Sequence, residues 1–497
     1  MIEKDIVIVG TGFSGLGMAM KLRDAGRDDF VLLEKAADIG GTWRDNTYPG
    51  CECDVPSDLY SFSYELNSDW SRSYSGQPEI WAYLRRVADE QGLRPLIRFG
   101  VEMTGATWDE DTQRWTVRTR GGDDYRARVL VSGIGGLHIP RIPELPGAET
   151  FAGPIFHTAE WDHSVDLTGK RVVVIGTGAS AVQLVPIVAE QAGHLTVFQR
   201  SPAWVLPKDD RPIPAWRKRV FEHVPGAQRM WRNTLYWKLE ARAIAFNGHL
   251  DLLPLAERVV TRHLARVIPD PELRAKLTPS YRLGCKRVLQ SNTYYRTFLR
   301  DDVELVAEAV AQIVPGGVID TTGRLVEADV IVYATGFHVI DAFDHLDVRG
   351  RDGTDLATRF REHGVETYLG VAAHRFPNLF FMLGPNTALG HNSVVFMIEQ
   401  QTKYVLHLLD EMDRRGAVSA EVTRPAQDAF NEEVQRLVEK GVWTQGGCTS
   451  WYLDSQGRNR TIWPKFTFQY WWETRKVDPA AYEWRRSREP AVAQGRG

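Results

Sequence analysis

Two glycine-rich turns, each entered from a short apolar run, constrain the fold of this chain more than any other feature. Residues 6–9 lead into Gly10-Thr-Gly12-Phe-Ser-Gly15, and residues 172–175 lead into Gly176-Thr-Gly178-Ala-Ser-Ala181. In such a turn the first glycine permits the bend, the second lets a pyrophosphate approach the backbone, and the third position lets helix pack on strand. The N-terminus of the following helix favours the phosphate charge. The sequence therefore predicts an α/β protein with two Rossmann-like dinucleotide-binding units.

The strand that follows each turn ends in a residue of opposite charge. Glu34 lies 24 positions after Gly10, where a carboxylate accepts both ribose hydroxyls and disfavours a 2′-phosphate. Arg200 lies 24 positions after Gly176 and precedes Ser201. A cation with a hydroxyl neighbour suits a 2′-phosphate, so we expect NADP(H) rather than NAD(H) in the second unit. The alternative is a solvated arginine at a strand end.

Composition narrows the classes of partner. The chain has 497 residues, of which 43% are hydrophobic, enough for two or three domains with cores of their own. Its formal charge of -4 gives no basic excess, so we expect small-molecule partners and no nucleic acid. The chain reaches its first strand by Asp5 without a basic and then apolar leader, and we find no run of about 18 apolar residues. We therefore expect a cytoplasmic protein with no integral membrane segment.

Four cysteines, Cys51, Cys53, Cys285 and Cys448, are too few for a disulfide framework in a chain of this length. We expect all four to be reduced. The one-residue gap in Cys51-Glu-Cys53 suits neither a redox pair nor a zinc pair, so we predict a structural role and no metal site.

The middle and end of the chain differ in composition from the two glycine units. Residues 140–154 have the proline and glycine content of a linker, and residues 211–279 carry apolar residues at helical spacing among many arginines. We interpret the second stretch as a helical insertion that packs on its own domain; contact with a membrane surface is the alternative. Aromatic residues crowd the tail, as core or as a roof over an organic substrate. The polar end after Arg485 is expected to fray.

Two further motifs carry a family resemblance. The stretch Phe151-x-Gly153-x-x-x-His157-x-x-x-Trp161-Asp162 resembles the signature of type I Baeyer-Villiger monooxygenases, within the class B flavin-dependent monooxygenases. A second motif of that family, Gly-Gly-x-Trp with Tyr-Pro-Gly and a downstream aspartate, is matched between Gly40 and Asp54. The resemblance covers residues 5–475. Relatives that oxygenate nitrogen and sulfur carry a different aromatic at the position of Trp161, so the ketone-oxidising branch is favoured.

The resemblance implies FAD and NADPH as cofactors and an architecture in five segments. Residues 1–144 and 346–497 would form the FAD domain, residues 145–210 and 280–345 the NADPH domain, and residues 211–279 the helical subdomain. The implied reaction converts a ketone and O2 to an ester or lactone through a peroxide carried on the flavin, and sulfides are also expected to be oxidised. We expect a monomer or a homodimer. The tail around Trp463 differs from the pattern of cyclohexanone-type members, so no ring-ketone preference is implied.

The same resemblance assigns roles to individual residues. Arg287 would be the catalytic arginine, Asp54 its carboxylate partner, and Lys286 a further ligand of the 2′-phosphate. His157 would orient the domains without an acid-base role, and Trp451 would contact the nicotinamide ribose. The predicted cofactor-binding residues are Gly10, Gly12, Ser14, Gly15, Glu34, Thr42, Trp43, Asp54, Tyr60, Gly176, Thr177, Gly178, Ser180, Ala181, Gln183, Arg200, Ser201, Lys286, Arg287 and Trp451.

An arginine suits oxygen transfer to a carbonyl because its charge is permanent. A peroxide anion or an alkoxide in a water-poor site is costly unless a fixed cation lies beside it, and arginine stays protonated while offering a planar fork of donors. Three alternatives remain from the residues alone. These are a sulfide or amine oxygenase, a flavin reductase that passes electrons to a partner protein, and an NADPH-sensing module. The reductase is disfavoured because no C-x-x-x-x-C pair accompanies the glycine turns.

Overall fold

The structure is a computed structural model that describes residues 1–339, 341–454 and 456–486. It confirms the predicted α/β class, with two Rossmann-like units and a helical insertion. The polar end of the chain, which we expected to fray, lies from residue 487 onward outside the described residues.

The first quarter of the chain forms most of one sheet and the helices that cover it. Its central strand is buried and follows the apolar run before the first glycine turn. The elements are β1 (Ile2–Val9), α1 (Phe13–Asp24), β2 (Phe30–Glu34), α2 (Thr42–Asp45), α3 (Gln77–Glu90), β3 (Ile97–Phe99), β4 (Glu102–Asp109), β5 (Arg114–Arg120) and β6 (Tyr125–Ser132).

Strand β1 lies between β2 and β6 and is parallel to both, while β4, β5 and β6 form an antiparallel run beside them. The carboxyl ends of β1, β2 and β6 therefore meet at one edge of the sheet. Ligands of doubly wound sheets bind at this edge. Glu34 and the first glycine turn both lie there.

The central part of the chain forms a second sheet and the helical insertion. Before the insertion lie β7 (Ile155–His157), β8 (Arg171–Ile175), α4 (Ala179–Gln191), β9 (His194–Phe198) and β10 (Val205–Leu206). The insertion contains α5 (Ala215–His223), α6 (Ala227–Glu240), α7 (Ala243–Phe246), α8 (Leu253–Val267) and α9 (Pro271–Lys276). After it come β11 (Leu289–Gln290), α10 (Tyr294–Thr297), β12 (Val303–Val306), β13 (Val310–Val314), β14 (Gly317–Asp320), β15 (Leu325–Glu327) and β16 (Val330–Tyr333).

The second sheet is entirely parallel, with the order β12-β9-β8-β16-β7. Its strands are apolar on both faces, as expected for a parallel sheet covered by other layers. Strand β14 lies between β12 and β16 in the chain but joins β13 and β15 in a small antiparallel sheet. Short loops at Pro315 and Thr321 make local hairpins there, and local pairing prevails.

The final part of the chain returns to the first sheet. Strand β17 pairs with β4 and β18 pairs with β6, and helix α12 packs on α1. The elements are β17 (Asp347–Arg349), α11 (Leu356–His363), β18 (Leu379–Phe381), α12 (Val394–Arg415), β19 (Ala417–Val422), α13 (Arg424–Val438), α14 (Val442–Gln445), α15 (Thr467–Thr474) and β20 (Tyr482–Arg486).

The helical insertion contacts the core beneath the second sheet and also residues from the part of the chain that forms the first sheet. Leu264 of α8 lies in the core beneath the second sheet, as the sequence interpretation expects. Helix α6 instead buries Arg232, which donates to the carbonyl of Asp58 at 2.8 Å, and Glu240, which accepts from the Thr467 amide. Buried charges need such partners, and they come from the part of the chain that forms the first sheet. Among the helices of the described ranges, none is long and apolar enough to cross a membrane.

The expectation that all four cysteines are reduced is wrong. Cys285 and Cys448 form a disulfide across 163 residues of sequence, whereas Cys51 and Cys53 are unpaired. A cysteine count says nothing about which residues the fold brings together, and this pair lies in one hydrophobic cluster.

Candidate functional site

The first glycine turn is packed so closely that two of its glycines, Gly10 and Gly15, leave no room for a side chain. Gly10 has φ +95°, and a Cβ on it would lie 2.6 Å from the carbonyl oxygen of Gly133. A Cβ on Gly15 would lie 1.9 Å from the carbonyl oxygen of Gly10. Helix α1 begins after Gly12, and no side chain of the described residues caps it, so its first amides remain free for an anion. Ser14, in the first turn of this helix, is buried.

Glu34 presents a fixed carboxylate at the end of β2. It is 4% exposed and accepts from the Thr11 amide at 3.1 Å, the Thr11 hydroxyl at 2.6 Å and the Ala36 amide at 3.0 Å. The Arg44 guanidinium lies 2.8 Å from Oε1 of Glu34, the oxygen that also accepts from the Ala36 amide. These contacts hold the side chain in one orientation beside the first glycine turn.

Aromatic side chains lie next to the same turn. Trp43 follows Thr42 at the start of α2, is 8% exposed, and donates from Nε1 to the Tyr60 hydroxyl at 3.1 Å. The Tyr60 ring packs edge-on against Phe13 of α1, with centroids 5.1 Å apart. The segment that carries Trp43 therefore packs beside the helix that the first turn begins.

The second turn repeats this backbone but is more open. Gly176 has φ +121°, and a Cβ on it would lie 2.3 Å from the carbonyl oxygen of Ala334. A Cβ on Gly178 would meet no atom of the described residues within 4 Å. Helix α4 begins at the next residue without a side-chain cap, with Ser180 and Ala181 in its first turn. The free amides of this helix therefore face open space.

Three predicted phosphate ligands converge beside the second turn. Lys286 donates from Nζ to the Ser201 hydroxyl at 2.7 Å, and the Thr177 hydroxyl donates to the Ser201 carbonyl at 2.9 Å. Burial and the neighbouring charge of Arg200 both lower the pKa of Lys286. In the part of the chain that the structure describes, no carboxylate lies within 4.0 Å of either cation. Two adjacent cations without an acid favour an anion with more than one charge.

Gln183 of α4 connects the second turn to the motif around Asp54. Its side-chain carbonyl accepts from the Tyr48 hydroxyl at 2.8 Å, and its amide donates to the Glu52 carbonyl at 2.9 Å. The helix of the second unit thus contacts the segment that follows Trp43 in the first.

Arg287 and Asp54 form a bidentate ion pair between the two units. The guanidinium Nε and Nη2 lie 2.6 and 2.7 Å from the two carboxylate oxygens, and Nη1 donates to the Leu389 carbonyl at 3.2 Å. Their side chains are 32% and 28% exposed, so one face of the pair remains accessible. The charge of Asp54 raises the pKa of Arg287. Burial would raise the pKa of Asp54, but the charges of Arg287 and Lys208 outweigh it and the pKa is lowered.

Two residues near this pair escaped the sequence analysis. Lys208 is almost fully buried and lies 2.6 Å from Glu52, the neighbour of Cys53. Tyr452 is 1% exposed, and its hydroxyl finds no hydrogen-bond partner among the described residues. Burial raises the pKa of Tyr452 to about 12, while the charge of Arg287 opposes that rise. The one signal for Tyr452 was its position next to Trp451; Lys208 gave none.

His157 lies at the end of β7, away from the ion pair. It is 1% exposed, its Nδ1 accepts from the Ala159 amide at 3.0 Å, and its ring packs edge-on against Phe337. Burial lowers its pKa to about 4, so the ring is neutral near pH 7. The turn after it is a 3-10 helix, and the Trp161 ring packs edge-on against Phe156.

Trp451 is 40% exposed and lies over Tyr452, with ring centroids 4.4 Å apart. Some of the other tail aromatics are buried in the core and others are exposed at the surface. Trp443, Trp463 and Tyr470 are fully buried core, whereas Trp471 and Trp472 are exposed on α15. Trp451 is therefore an exposed tail aromatic next to Tyr452, which in turn lies near Arg287.

Comparisons with known proteins agree with this arrangement. A family model described as pyridine nucleotide-disulphide oxidoreductase matches residues 7–231. A Baeyer-Villiger monooxygenase of Pseudomonas aeruginosa is 46% identical over 478 residues, covering 96% of this chain and 90% of that protein.

Two solved structures share the whole fold. The closed crystal structure of cyclohexanone monooxygenase superposes with a TM-score of 0.88 at 29% identity, covering 98% of this chain and 100% of that one. The complex of the enzyme OTEMO with FAD and NADP gives 0.85 at 28% identity, covering 97% and 99%. This chain therefore belongs to the Baeyer-Villiger monooxygenase family, whose members are oxidoreductases that use FAD and NADPH.

Proposed function

We propose that this protein uses NADPH and O2 to convert ketones to esters or lactones. The observation that carries the proposal is the bidentate pair of Arg287 and Asp54 at the junction of two dinucleotide turns. Its accessible face offers a permanent positive charge where a carbonyl oxygen can approach. Neither dinucleotide turn alone would require such a cation.

Residues 1–144 and 346–497 would hold FAD. The free amides of α1 would bind the pyrophosphate, and Glu34 the ribose. Trp43 and Tyr60 would line the flavin, with Asp54 at the edge nearest the second unit. The close packing of Gly10 and Gly15 supports this assignment, because only glycine leaves the backbone room for the turn.

Residues 145–210 and 280–345 would hold NADPH, with residues 211–279 as the helical subdomain. The open space before Gly178 leaves room for the pyrophosphate, and Arg200, Ser201 and Lys286 would hold the 2′-phosphate. Trp451 would contact the nicotinamide ribose from the tail. A monomeric or homodimeric state and a cytoplasmic location remain predictions.

Bound FAD supplies the oxygen activation and electron transfer of the reaction. Arg287 would stabilise the negative charge that develops on the ketone oxygen at the accessible face of the ion pair, where the carbonyl is attacked. Asp54 holds the guanidinium in one orientation, which fixes where the charge is felt. Because both side chains of the pair are mostly buried, water screens their charges less than it would on an open surface.

The substitution Arg287→Ala tests the function directly. We expect anaerobic NADPH still to bleach the flavin, while ester formation falls about 1000-fold because the cation beside the reacting oxygen is lost. Supplying 18O2 with a ketone should place one labelled oxygen in the wild-type ester. Arg287→Lys is the matched control, because it keeps the positive charge but lacks the planar fork of guanidinium donors. It should retain more activity than Arg287→Ala but less than the wild type.

A sulfide assayed beside the ketone separates the neighbouring activity. Sulfoxide formation that survives Arg287→Ala while ester formation is lost would support the proposed role of the arginine. Undiminished ester formation in Arg287→Ala would contradict it. An unlabelled ester from wild-type protein under 18O2 would contradict oxygenation itself.

A further inference from the structure

The Cys285–Cys448 disulfide joins the segment that carries Lys286 and Arg287 to the segment that carries Trp451, and both segments have proposed contacts with NADPH. Cys285 immediately precedes Lys286 and Arg287, and Cys448 lies three residues before Trp451. The bond closes 163 residues of sequence. One covalent link therefore connects the basic pair to the aromatic residue of the tail.

Glycines next to both cysteines allow the two chain segments to approach closely at the disulfide. A Cβ on Gly446 would lie 2.7 Å from the sulfur of Cys285, and a Cβ on Gly284, at φ +95°, would lie 2.8 Å from the Phe246 ring. The Arg282 amide donates to the Gly446 carbonyl at 2.9 Å. Glycine on both sides therefore lets the two backbones approach closely enough for the sulfurs to bond.

The tail segment 447–451 depends on this bond for its position. Within the described residues, none of its backbone or side-chain groups donates to or accepts from a residue outside 446–453. Its ends are held at Gly446 and at Tyr452, whose carbonyl accepts from the Thr461 hydroxyl at 3.3 Å. Between those ends, Cys448 is the one covalent tether in this described segment. A segment with so few contacts opens at low free-energy cost once the tether is cut.

The two sulfurs differ in access. Cys285 is fully buried, whereas Cys448 is partly exposed. We therefore expect a thiolate from solution to attack at Cys448, with the buried Cys285 as the leaving group.

We propose that Cys285–Cys448 is a redox-sensitive modification site that controls NADPH binding. A dithiol reductant attacks the Cys448 sulfur, the S–S bond breaks, and Cys285 leaves as a thiolate that takes up a proton. The second thiol of the reductant then displaces Cys448, which leaves two protein thiols and one oxidised reductant. Opening the bond releases the segment 447–451, so Trp451 no longer keeps a fixed distance from Lys286.

In the predicted cytoplasmic location, the disulfide would be exposed to thiol reductants. Thiol reductants keep most cytoplasmic cysteines reduced, and disulfides that persist there are commonly redox-responsive. The oxidised protein would bind NADPH well, and the reduced protein poorly. This consequence rests on the proposed roles of Lys286 and Trp451 in NADPH binding.

Three measurements on the holoenzyme test the proposal. Denatured oxidised protein should show two reactive thiols, from Cys51 and Cys53, and all four after treatment with dithiothreitol. Amide hydrogen exchange of residues 447–451 should become at least about tenfold faster on reduction. The KM for NADPH should rise about three- to tenfold, with kcat at saturating NADPH changed by less than about twofold.

Cys448→Ser is the matched variant. It should match the reduced wild type in exchange and in KM, and dithiothreitol should change neither. Four reactive thiols before reduction, or exchange that reduction leaves unchanged, would overturn the tether. Faster exchange with an unchanged KM would overturn control of NADPH binding and would locate the error in the role of Trp451. The ester yield of Arg287→Ala tests the oxygenase function separately.

Discussion

The two dinucleotide turns share one backbone and differ in what surrounds it. Gly10 and Gly176 both have positive φ, and each packs against a carbonyl at the end of a neighbouring strand, that of Gly133 or Ala334. Both following helices begin without a side-chain cap. The shared geometry provides a pyrophosphate site in each unit, and the surroundings determine which dinucleotide fits and how firmly it is held.

Those surroundings differ in charge and in access. The first unit ends β2 with the buried Glu34, and a Cβ on Gly12 would lie 3.8 Å from Gly41, which narrows the entrance. In the second, the exposed Arg200 lies two residues after β9, and the space before Gly178 is open. An enclosed acidic site suits a cofactor that stays bound, and an open basic site suits one that exchanges at each turnover. The comparison predicts different consequences for matched substitutions in the two units.

The largest effect is expected at the third position of the turns. Gly15→Ala places a Cβ 1.9 Å from a backbone oxygen, so the turn must shift, which costs about 3 kcal/mol or more of folding free energy and removes bound flavin. Flavin absorbance per chain and thermal unfolding measure both. The second unit already carries Ala181 at this position, and Ala181→Gly should cost only about 1 kcal/mol. Full flavin content in Gly15→Ala would contradict the comparison.

A smaller loss is expected at the contact between the units. Asp54→Asn keeps the shape of the side chain but removes the charge that orients Arg287, so kcat for ester formation should fall about 100-fold. Flavin reduction by NADPH under anaerobic conditions should change little. Asp301→Asn, the same change at an exposed aspartate, serves as the matched control, with an expected change below about threefold. Equal losses in both variants would mean that the pair has no special role.

The next effect concerns the charge of Arg200, which lies two residues after β9. Arg200→Ala should raise the KM for NADPH about 30-fold and leave the KM for NADH unchanged, because only NADPH carries the 2′-phosphate that the guanidinium would bind. Steady-state kinetics with both nucleotides measure the split. Arg229→Ala, an exposed arginine on α6, is the control. Equal changes for both nucleotides would show that Arg200 serves the fold rather than the phosphate.

The smallest effect is a pH dependence of stability at His157. Burial lowers its pKa to about 4, so between pH 4 and about 6.5 the unfolded chain binds a proton that the folded state does not. Stability should therefore fall as the pH drops from 7 to 5, by about 2 kcal/mol from this residue. Denaturant unfolding of His157→Gln should lack that share of the loss. His249→Gln, at an exposed site, should follow the wild type.

Local sequence patterns predicted the two units because each is defined by neighbours along the chain. The apolar run, the glycine spacing and the residue 24 positions later all lie within one βαβ unit. The same logic found Glu34 and Arg200. Arg287 and Asp54 are separated by 233 residues, and only a family resemblance paired them.

The contacts that the sequence did not predict are those that the tertiary fold creates. The disulfide joins cysteines 163 residues apart, with no spacing pattern to mark them. Lys208 resembles any other lysine until the fold buries it beside Glu52. Helix α6 carries arginines that suggest a solvated face, yet Arg232 is buried against Asp58. Such pairs follow from which surfaces meet, and no local pattern contains that information.

A crystal structure of the protein with FAD and NADP+ bound tests the central claim most directly, because it shows which dinucleotide each turn holds and where Arg287 lies. We predict FAD at the first turn, with the 2′-phosphate of NADP+ within hydrogen-bond distance of Arg200, Ser201 and Lys286. The Arg287 guanidinium should remain paired with Asp54 and lie between the two cofactors. A guanidinium remote from the flavin ring, with no other cation in its place, would contradict the account.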